Sequence, residues 1–219
     1  MSREHHLQLD PHKSLFYVAV AGTIRLLARI MFRPAVRGRE NIPLAGPVLV
    51  APIHRSNLDF AFTLFMSRRK VFFMAKDSLF TVPLLGRVLI TLGAFPVKRG
   101  TADREALRAA QEVLEGGHAL ILFPEGTRKY GRQVEPLHDG AMFIAARTRA
   151  TVVPVGIAGS DRALGDGQIF PRPAKVRVVV GAPIAPVIQD GRPSRSQIAS
   201  KTEELRNLLE QVYQQSLDG

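Results

Sequence analysis

The chain has 219 residues, of which 46% are hydrophobic and 22% charged, and it contains no cysteine. This length and composition are typical of one folded domain with a hydrophobic core. The lack of cysteine excludes disulfides, thiolate nucleophiles and cysteine metal sites. The formal net charge of +11 favours an anionic partner, which is a nucleic acid, an anionic membrane or a phosphorylated substrate.

The first predicted element is an amphipathic helix within Ser14–Phe32, which Pro34 ends. Its uninterrupted apolar run is about half of the roughly 20 residues that span a bilayer, and no cleavage site of a secretory signal follows it. Arg25, Arg29 and Arg33 recur every four residues and share one face. We expect this helix to lie in a membrane interface with its arginines among lipid phosphates. The alternative is a core helix with a solvated basic edge.

Short apolar runs alternate with helical patterns in the rest of the chain. This alternation predicts an α/β fold with a mostly parallel or mixed central sheet flanked by helices. We therefore divide the chain into an N-terminal tail and amphipathic helix, residues 1–34, and an α/β domain, residues 35–219. The predicted strands are Val48–Ile53, Val71–Ala75, Ala94–Val97, Ala119–Phe123, Val152–Ile157 and Val176–Val180. The predicted helices are Leu58–Ser67, Val82–Thr91, Ala102–Leu114, Asp139–Arg149 and Ser196–Ser216.

The sequence HRSNLD, residues 54–59, follows the first of these strands and is the first candidate site. Histidine exchanges protons at neutral pH, and a carboxylate that fixes its tautomer makes it a better general base. Within one helix, a spacing of five would separate His54 from Asp59 by about 140°. We therefore expect His54 on a loop and Asp59 in the first turn of the next helix. The spacing alone fits a surface histidine beside a helix-start aspartate at least as well.

Two further clusters follow strands at the same edge of the predicted sheet, where functional groups of open α/β sheets gather. One is FPEGTR, residues 123–128, and the other is the pair Lys98 and Arg99. Arginine suits phosphate because its fork bonds two oxygens at once. Each cation alone is better explained as an exposed charge or as the partner of a nearby carboxylate. Together with the histidine and aspartate, they predict a site for a phosphate-bearing substrate with a reactive hydroxyl.

Four blocks of the chain resemble, in order, the motifs of the glycerolipid acyltransferases of the 1-acylglycerol-3-phosphate acyltransferase type, the PlsC family. The blocks are HRSNLD, the segment from Lys76 to Gly100 that closes on Arg99, an unaltered FPEGTR, and VVPVGI around Pro154. They span residues 54–157, about half of the chain. Arg55 stands where many members have glutamine or another polar residue. We expect that departure to alter acceptor or membrane contacts and not the chemistry.

The resemblance implies an O-acyltransferase that makes phosphatidic acid from lysophosphatidic acid, with acyl-CoA or acyl carrier protein as the donor and no cofactor. His54 would take the proton of the acceptor hydroxyl, and Asp59 would orient His54. Lys76 and Pro154 are further motif residues. The residues implied to bind the substrate phosphate are Lys98, Arg99, Glu125, Gly126, Thr127 and Arg128.

The same resemblance implies a peripheral protein at the cytoplasmic face of the cell membrane, with a lysophospholipid as partner and neither nucleic acid nor metal. The backbone amides around Gly126 are candidates for the oxyanion donor. The Gly- and Pro-rich segment Leu164–Pro173 is predicted to be a loop placed over the site.

Three alternatives remain open at this stage. The acceptor could instead be glycerol 3-phosphate, another lysophospholipid or a glycolipid. A non-catalytic basic protein that binds anionic membranes or nucleic acid would explain the charge, but not why carboxylates accompany the cations. A metal-dependent phosphohydrolase would need a carboxylate-rich metal cage, which the sequence does not display.

Overall fold

The fold is that of a computed structural model, which describes residues 15–97, 104–185 and 193–218. Its strands are β1 Ala35–Arg37, β2 Val48–Pro52, β3 Val71–Lys76, β4 Ala94–Val97, β5 Ala119–Ile121, β6 Thr151–Ala158 and β7 Arg177–Val180. They form one sheet in the order β1-β7-β6-β2-β5-β3-β4. β6 and β7 pair antiparallel, and the other neighbouring strands pair parallel. The predicted α/β fold with a mostly parallel, mixed sheet is confirmed.

Helices cover both faces of this sheet. They are α1 Leu15–Phe32, α2 Asp59–Met66, α3 Pro83–Leu92, α4 Arg104–Glu115, α5 Gly140–Thr148, α6 Ser160–Ala163 and α7 Arg195–Asp218, with short 3-10 helices at Arg39–Asn41 and Asp77–Thr81. α1 packs on α2 and α3, and α2 packs on β3. α5 and α7 pack on β6 and on each other, and α4 packs on α5. All five residues of β2 are buried, as expected for a central parallel strand covered on both faces.

Besides the two 3-10 helices, one short strand and one short α-helix were not predicted. β1 has three residues and lies at the sheet edge, where it pairs with β7 through Ala35 and Arg177. α6 has four residues, Ser160–Ala163. Neither is long enough to show a hydrophobic period, which is the main sequence signal for a strand or a helix. The predicted strands and helices are otherwise present, with ends that differ by a few residues.

α1 ends at Phe32, and Arg33 adopts a left-handed conformation with φ 43° before Pro34, so proline ends the helix as predicted. Ala21, Ala28 and Phe32 are its buried residues. The large apolar side chains on its opposite face are exposed, which excludes the alternative of a core helix; they are Leu15, Phe16, Val18, Leu26, Leu27 and Ile30.

α1 covers the predicted range, but the judgement that it is too short to span a bilayer is not supported. Among the described residues it is the one helix long and apolar enough to cross a membrane, judged by length and composition. The prediction counted the apolar run only as far as Arg25, whereas the helix continues past Arg25 and Arg29 to Phe32. The division of the chain at residue 34 stays a prediction. The end of α1 is joined to the approach to β7, because the amide of Val176 donates to the Phe32 carbonyl at 2.9 Å.

The parallel strands place the loops that follow β2 and β5 side by side at one edge of the sheet. Val50 of β2 is in register with Ile121 of β5, and Pro52 with Val155 of β6. Just beyond these strands, the amide of Ile53 still donates to the Val155 carbonyl at 3.0 Å. Chain segments that leave this edge therefore meet, as expected for the carboxyl ends of an open parallel sheet.

Candidate active site

His54 and Asp59 meet at this edge of the sheet. His54 lies on the loop between β2 and α2, and Asp59 is the first residue of α2. Their side chains join through His54 Nδ1 and Asp59 Oδ2 at 3.0 Å. The same Asp59 oxygen accepts from the amides of Arg55 at 2.7 Å and Ser56 at 2.8 Å. These three bonds fold the loop back onto the start of the helix, which brings together two side chains that one continuous helix would keep apart.

The His54 ring is oriented by two contacts. Oδ2 of Asp59 already accepts from two amides, so it also acts as the acceptor for His54; this bond assigns the ring proton to Nδ1 and the lone pair to Nε2. The ring also stacks on Phe123, with ring centroids 4.0 Å apart and planes 22° apart. The His54 side chain is 11% exposed. In this tautomer, Nε2 is the ring nitrogen that can accept a proton from a substrate.

Glu125, at the centre of the FPEGTR turn, supports the histidine loop. Its Oε2 accepts from the His54 amide at 2.9 Å. Nη1 of Arg55 lies 3.0 and 2.8 Å from the two oxygens of Glu125. The carboxyl group is buried, and it contacts the protein through both oxygens. The expectation that Glu125 contacts the substrate phosphate does not fit this position, because a buried carboxylate would repel phosphate and has its bonds within the protein.

Arg55 supports the site in a way that the sequence did not predict. Its side chain is buried, so the expectation that it contacts the acceptor or the membrane is wrong. Nη2 donates to the Gln133 carbonyl at 2.9 Å, and the guanidinium lies 5.0 Å from the Tyr213 ring centroid. Burial alone would lower the pKa of Arg55, but Glu125 and Tyr213 together outweigh burial and raise that pKa. Arg55 is therefore a charged guanidinium that neutralises Glu125 inside the protein.

Gly126 and Thr127 follow Glu125 in the FPEGTR turn. Gly126 has φ +73°, and a Cβ there would lie 2.8 Å from Cδ2 of His138, so only glycine fits without displacing the ring. The Gly126 amide donates to the Phe123 carbonyl at 3.0 Å. That amide closes the turn and is not free as an oxyanion donor. Thr127 is exposed.

Arg128 is the cation of this turn that reaches solvent. Its Nη1 lies 3.2 Å from Oδ1 of Asp166, and both side chains are partly exposed. A hydrogen bond to Asp166 also raises the pKa of the Tyr130 hydroxyl. Asp166 therefore contacts both Arg128 and Tyr130, which follow Glu125 in the chain. A cation paired only with an exposed carboxylate can exchange that partner for another anion at low cost.

Asp166 belongs to residues 164–173, which we call the α6–β7 loop. The Ser56 hydroxyl donates to the Leu164 carbonyl at 2.8 Å, so the loop begins beside the histidine turn. This contact agrees with the predicted placement of the segment near the site. It also engages the Ser56 proton in a buried bond, so Ser56 does not have the geometry of a nucleophile.

The remaining predicted site residues are Lys76, Pro154, Lys98 and Arg99. Lys76 is exposed at the carboxyl end of β3, on the edge that carries the site. Pro154 is buried in β6, where its carbonyl accepts from the Gly181 amide at 2.9 Å. Lys98 and Arg99 lie outside the described residues. Within the part of the chain that the structure describes, no group of three or more His, Asp or Glu side chains is placed to hold a metal ion.

Comparisons with known proteins support the family and the fold. The model of the family described as Acyltransferase matches residues 33–158. The chloroplastic 1-acyl-sn-glycerol-3-phosphate acyltransferase LPAT1 of Arabidopsis thaliana is 29% identical over 81% of this chain and 51% of its own. The 1-acyl-sn-glycerol-3-phosphate acyltransferase of Bacillus subtilis is 25% identical over 90% of this chain and 96% of its own. The chain thus spans about half the length of the plant relative and nearly all of the bacterial one.

A solved structure has the same fold. It is the crystal structure of the 1-acyl-sn-glycerophosphate (LPA) acyltransferase, PlsC, from Thermotoga maritima. The TM-score is 0.74 at 26% sequence identity, and the match covers 90% of this chain and 78% of the other.

The buried Arg55–Glu125 pair predicts how substitutions at these two positions change the free energy of unfolding. Arg55→Met will lower the free energy of unfolding by about 3–5 kcal/mol, because it leaves a buried carboxylate without its cation. The double variant Arg55→Met/Glu125→Gln will regain part of this loss, since a neutral amide costs less to bury. Urea denaturation of the wild type, both single variants and the double variant measures the coupling energy.

The matched control is Arg108→Met, which removes a cation from an exposed pair with Glu112 on α4. This change will alter the free energy of unfolding by less than about 1 kcal/mol. An Arg55→Met cost as small as the Arg108→Met cost, or strict additivity of Arg55→Met and Glu125→Gln, would contradict the assigned role of the buried pair.

Proposed function

Because this chain belongs to the acyltransferase family, we propose that it transfers a fatty acyl group from an acyl thioester to the free hydroxyl of lysophosphatidic acid, giving phosphatidic acid. The observation that carries the proposal is the His54–Asp59 pair, 3.0 Å apart at the carboxyl edge of the sheet. Its support is the family match, and the relatives from plants and bacteria whose names give this activity.

In the proposed reaction, Nε2 of His54 takes the proton of the acceptor hydroxyl as its oxygen attacks the thioester carbonyl. The tetrahedral intermediate then collapses, the C–S bond breaks, and His54 returns the proton to the leaving thiolate. Asp59 stabilises the imidazolium that forms between these two steps. Nothing in this sequence of steps requires an acyl-enzyme or a cofactor. The donor is acyl-CoA or an acyl carrier protein, each of which supplies a thioester.

The acceptor phosphate binds next to the histidine turn in this proposal. Arg128 is its main ligand, because it reaches solvent and its present partner, Asp166, is partly exposed. Thr127 supplies an exposed hydroxyl. The amide of the next residue, Lys129, donates to the His54 carbonyl at 2.9 Å, so a phosphate at Arg128 would lie within a short reach of the reacting hydroxyl. Lys98 and Arg99 remain proposed phosphate ligands on the resemblance alone.

We also propose that the protein works at a membrane surface, on the cytoplasmic face, where its acceptor resides. The exposed apolar face of α1 supports this location. α3, which packs on α1, exposes further apolar side chains at Leu84, Leu85 and Ile90. The net charge of +11 favours an anionic lipid surface. An amphipathic helix with cations at its edge is suited to binding in the plane of such a surface.

Thiol release tests the proposed activity. Purified protein in detergent with lysophosphatidate and palmitoyl-CoA will release free thiol, which a chromogenic thiol reagent detects without background from a cysteine-free chain. His54→Ala and Asp59→Asn will each lower the turnover rate by about 10²–10⁴-fold, the usual contribution of positioned proton transfer. His118→Ala, which lies just before β5 and so at the opposite edge of the sheet, is the matched control and will retain activity.

The proposed chemistry would be wrong if thiol release did not depend on the acceptor, or if His54→Ala kept the wild-type rate. Acyl transfer that requires His54 but prefers glycerol 3-phosphate or another lysophospholipid would keep the mechanism and change the acceptor.

The Arg128–Asp166 pair predicts opposite effects of two substitutions on the KM for lysophosphatidate. Asp166→Asn removes the competing carboxylate and will lower this KM by about two- to fivefold, the range for a partly exposed ion pair. Arg128→Gln removes the charged donor and will raise the KM by about 10–100-fold. Steady-state kinetics at saturating acyl-CoA measure both, and a higher KM for Asp166→Asn would instead make Asp166 a substrate-binding residue.

A further inference from the structure

The tip of the α6–β7 loop presents two large apolar side chains to solvent. Ile169 is 84% exposed and Phe170 is 79% exposed. They are followed by Pro171 and Pro173, which restrict the backbone of the tip. Exposed apolar side chains of this size usually mark a contact surface when they occur together on a rigid segment.

The structure holds this tip in place from both sides. On one side, the Leu164 carbonyl accepts from Ser56, two residues after His54. On the other side, the amide of Ala174 donates to the Met31 carbonyl at 3.2 Å, in the last turn of α1. Between these two contacts, the Arg172 amide of the loop donates to the carbonyl of Ala163, the last residue of α6, at 2.8 Å. The loop therefore bridges the candidate active site and the end of α1.

The exposed apolar face of α1 continues toward the same place. Leu26, Leu27 and Ile30 are each more than half exposed in the last two turns of the helix, close to the Met31–Ala174 contact. The loop that carries the exposed tip is thus tethered to the end of the helix that carries the exposed apolar face. A fluid bilayer can cover a helix face and a loop tip together, because it needs no shape complementarity.

The charges around the tip favour an anionic lipid. Three exposed cations lie near the apolar pair in the chain, namely Arg162, Arg172 and Lys175. Two exposed acidic residues, Asp161 and Asp166, lie in the same region. Asp166 is paired with Arg128. Cations that flank apolar side chains bind lipid phosphates while the apolar groups enter the acyl region.

We propose that Ile169 and Phe170 form a second membrane contact, which inserts into an anionic phospholipid bilayer beside α1 and holds the site at His54 against the lipid surface. The inference rests on the proposed function, since it takes the bilayer as the source of the acceptor. An acceptor that enters from this side would pass the loop and reach Arg128 without leaving the lipid interface.

The chain contains no tryptophan, so Phe170→Trp introduces a single fluorescent reporter at the tip. With vesicles of equal parts phosphatidylcholine and phosphatidylglycerol, we expect its emission to shift to shorter wavelength and to be quenched by lipids brominated on the acyl chain. The matched control is Leu107→Trp, which replaces an exposed apolar residue on α4 and should be neither shifted nor quenched. This readout does not require turnover, so it stands even if the proposed acyl transfer fails.

Three results would overturn the proposal. They are an unquenched reporter in Phe170→Trp protein that sediments with the vesicles, equal quenching of the Phe170→Trp and Leu107→Trp reporters, and wild-type protein that stays in the supernatant.

A second variant links the contact to catalysis. Ile169→Ser/Phe170→Ser will lower the vesicle partition coefficient by at least about tenfold, because two apolar side chains no longer leave water. Its turnover of a short-chain, monomeric lysophosphatidate will match the wild type, whereas its turnover of vesicle-bound acceptor will fall. Equal loss on both acceptors would assign the two residues to the site itself and contradict a membrane contact.

Discussion

The rest of the site depends on the interactions of the buried Glu125 carboxylate. It joins two loops that leave neighbouring strands, because it accepts from the His54 amide in one loop while belonging to the turn of the other. An unpaired carboxylate at this depth would cost several kcal/mol, and Arg55 neutralises it. The two loops consequently act as one unit, in which Glu125 and Lys129 hold the His54 backbone, and Asp59 and Phe123 hold its ring.

The C-terminal helix extends this unit away from the sheet edge. The Tyr213 ring faces Arg55, and the Tyr213 hydroxyl, whose pKa burial raises, donates to the Gly131 carbonyl at 3.0 Å. Glu210 accepts from the Val134 amide at 2.7 Å. α7 can approach the sheet this closely because Gly156 of β6 has no side chain: a Cβ there would lie 2.3 Å from a carbonyl oxygen of α7. A helix without any recognised motif thus fixes the segment that follows the FPEGTR turn.

Most of the correct predictions depended on local patterns, which are formed by residues close together in the chain. The long strands and helices show clear periods, and β2 reads as a buried strand because all its residues are apolar. His54 and Asp59 are close in the chain, so the geometry of one loop and one helix start decides whether they meet. β1 and α6 are too short to show a period. The N-terminal amphipathic helix was predicted with nearly its observed bounds, but its apolar length was underestimated because arginines interrupt the sequence.

The sequence did not predict the contacts between segments that are distant in the chain. Arg55 and Glu125 are separated by 70 positions, and nothing near either residue indicates that the other is its partner. Glu125 was therefore assigned to a phosphate site, and Arg55 to contacts with the acceptor or the membrane. One signal was present: a carboxylate between a buried strand and a tight turn needs a cation, and the arginine beside His54 follows the adjacent strand. The competition of Asp166 for Arg128 also depends on the path of a loop that carries no periodic pattern.

The most direct test of the central claim is the tautomer of His54 in the free protein. Nitrogen-15 NMR of histidine-labelled protein at neutral pH distinguishes a protonated ring nitrogen from one with a free lone pair, and His54→Gln assigns the resonances. We predict that Nδ1 is protonated and Nε2 is not, and that Asp59→Asn abolishes this preference. A His54 ring protonated on Nε2, or one indifferent to Asp59→Asn, would contradict the claim that buried carboxylates present Nε2 as the base.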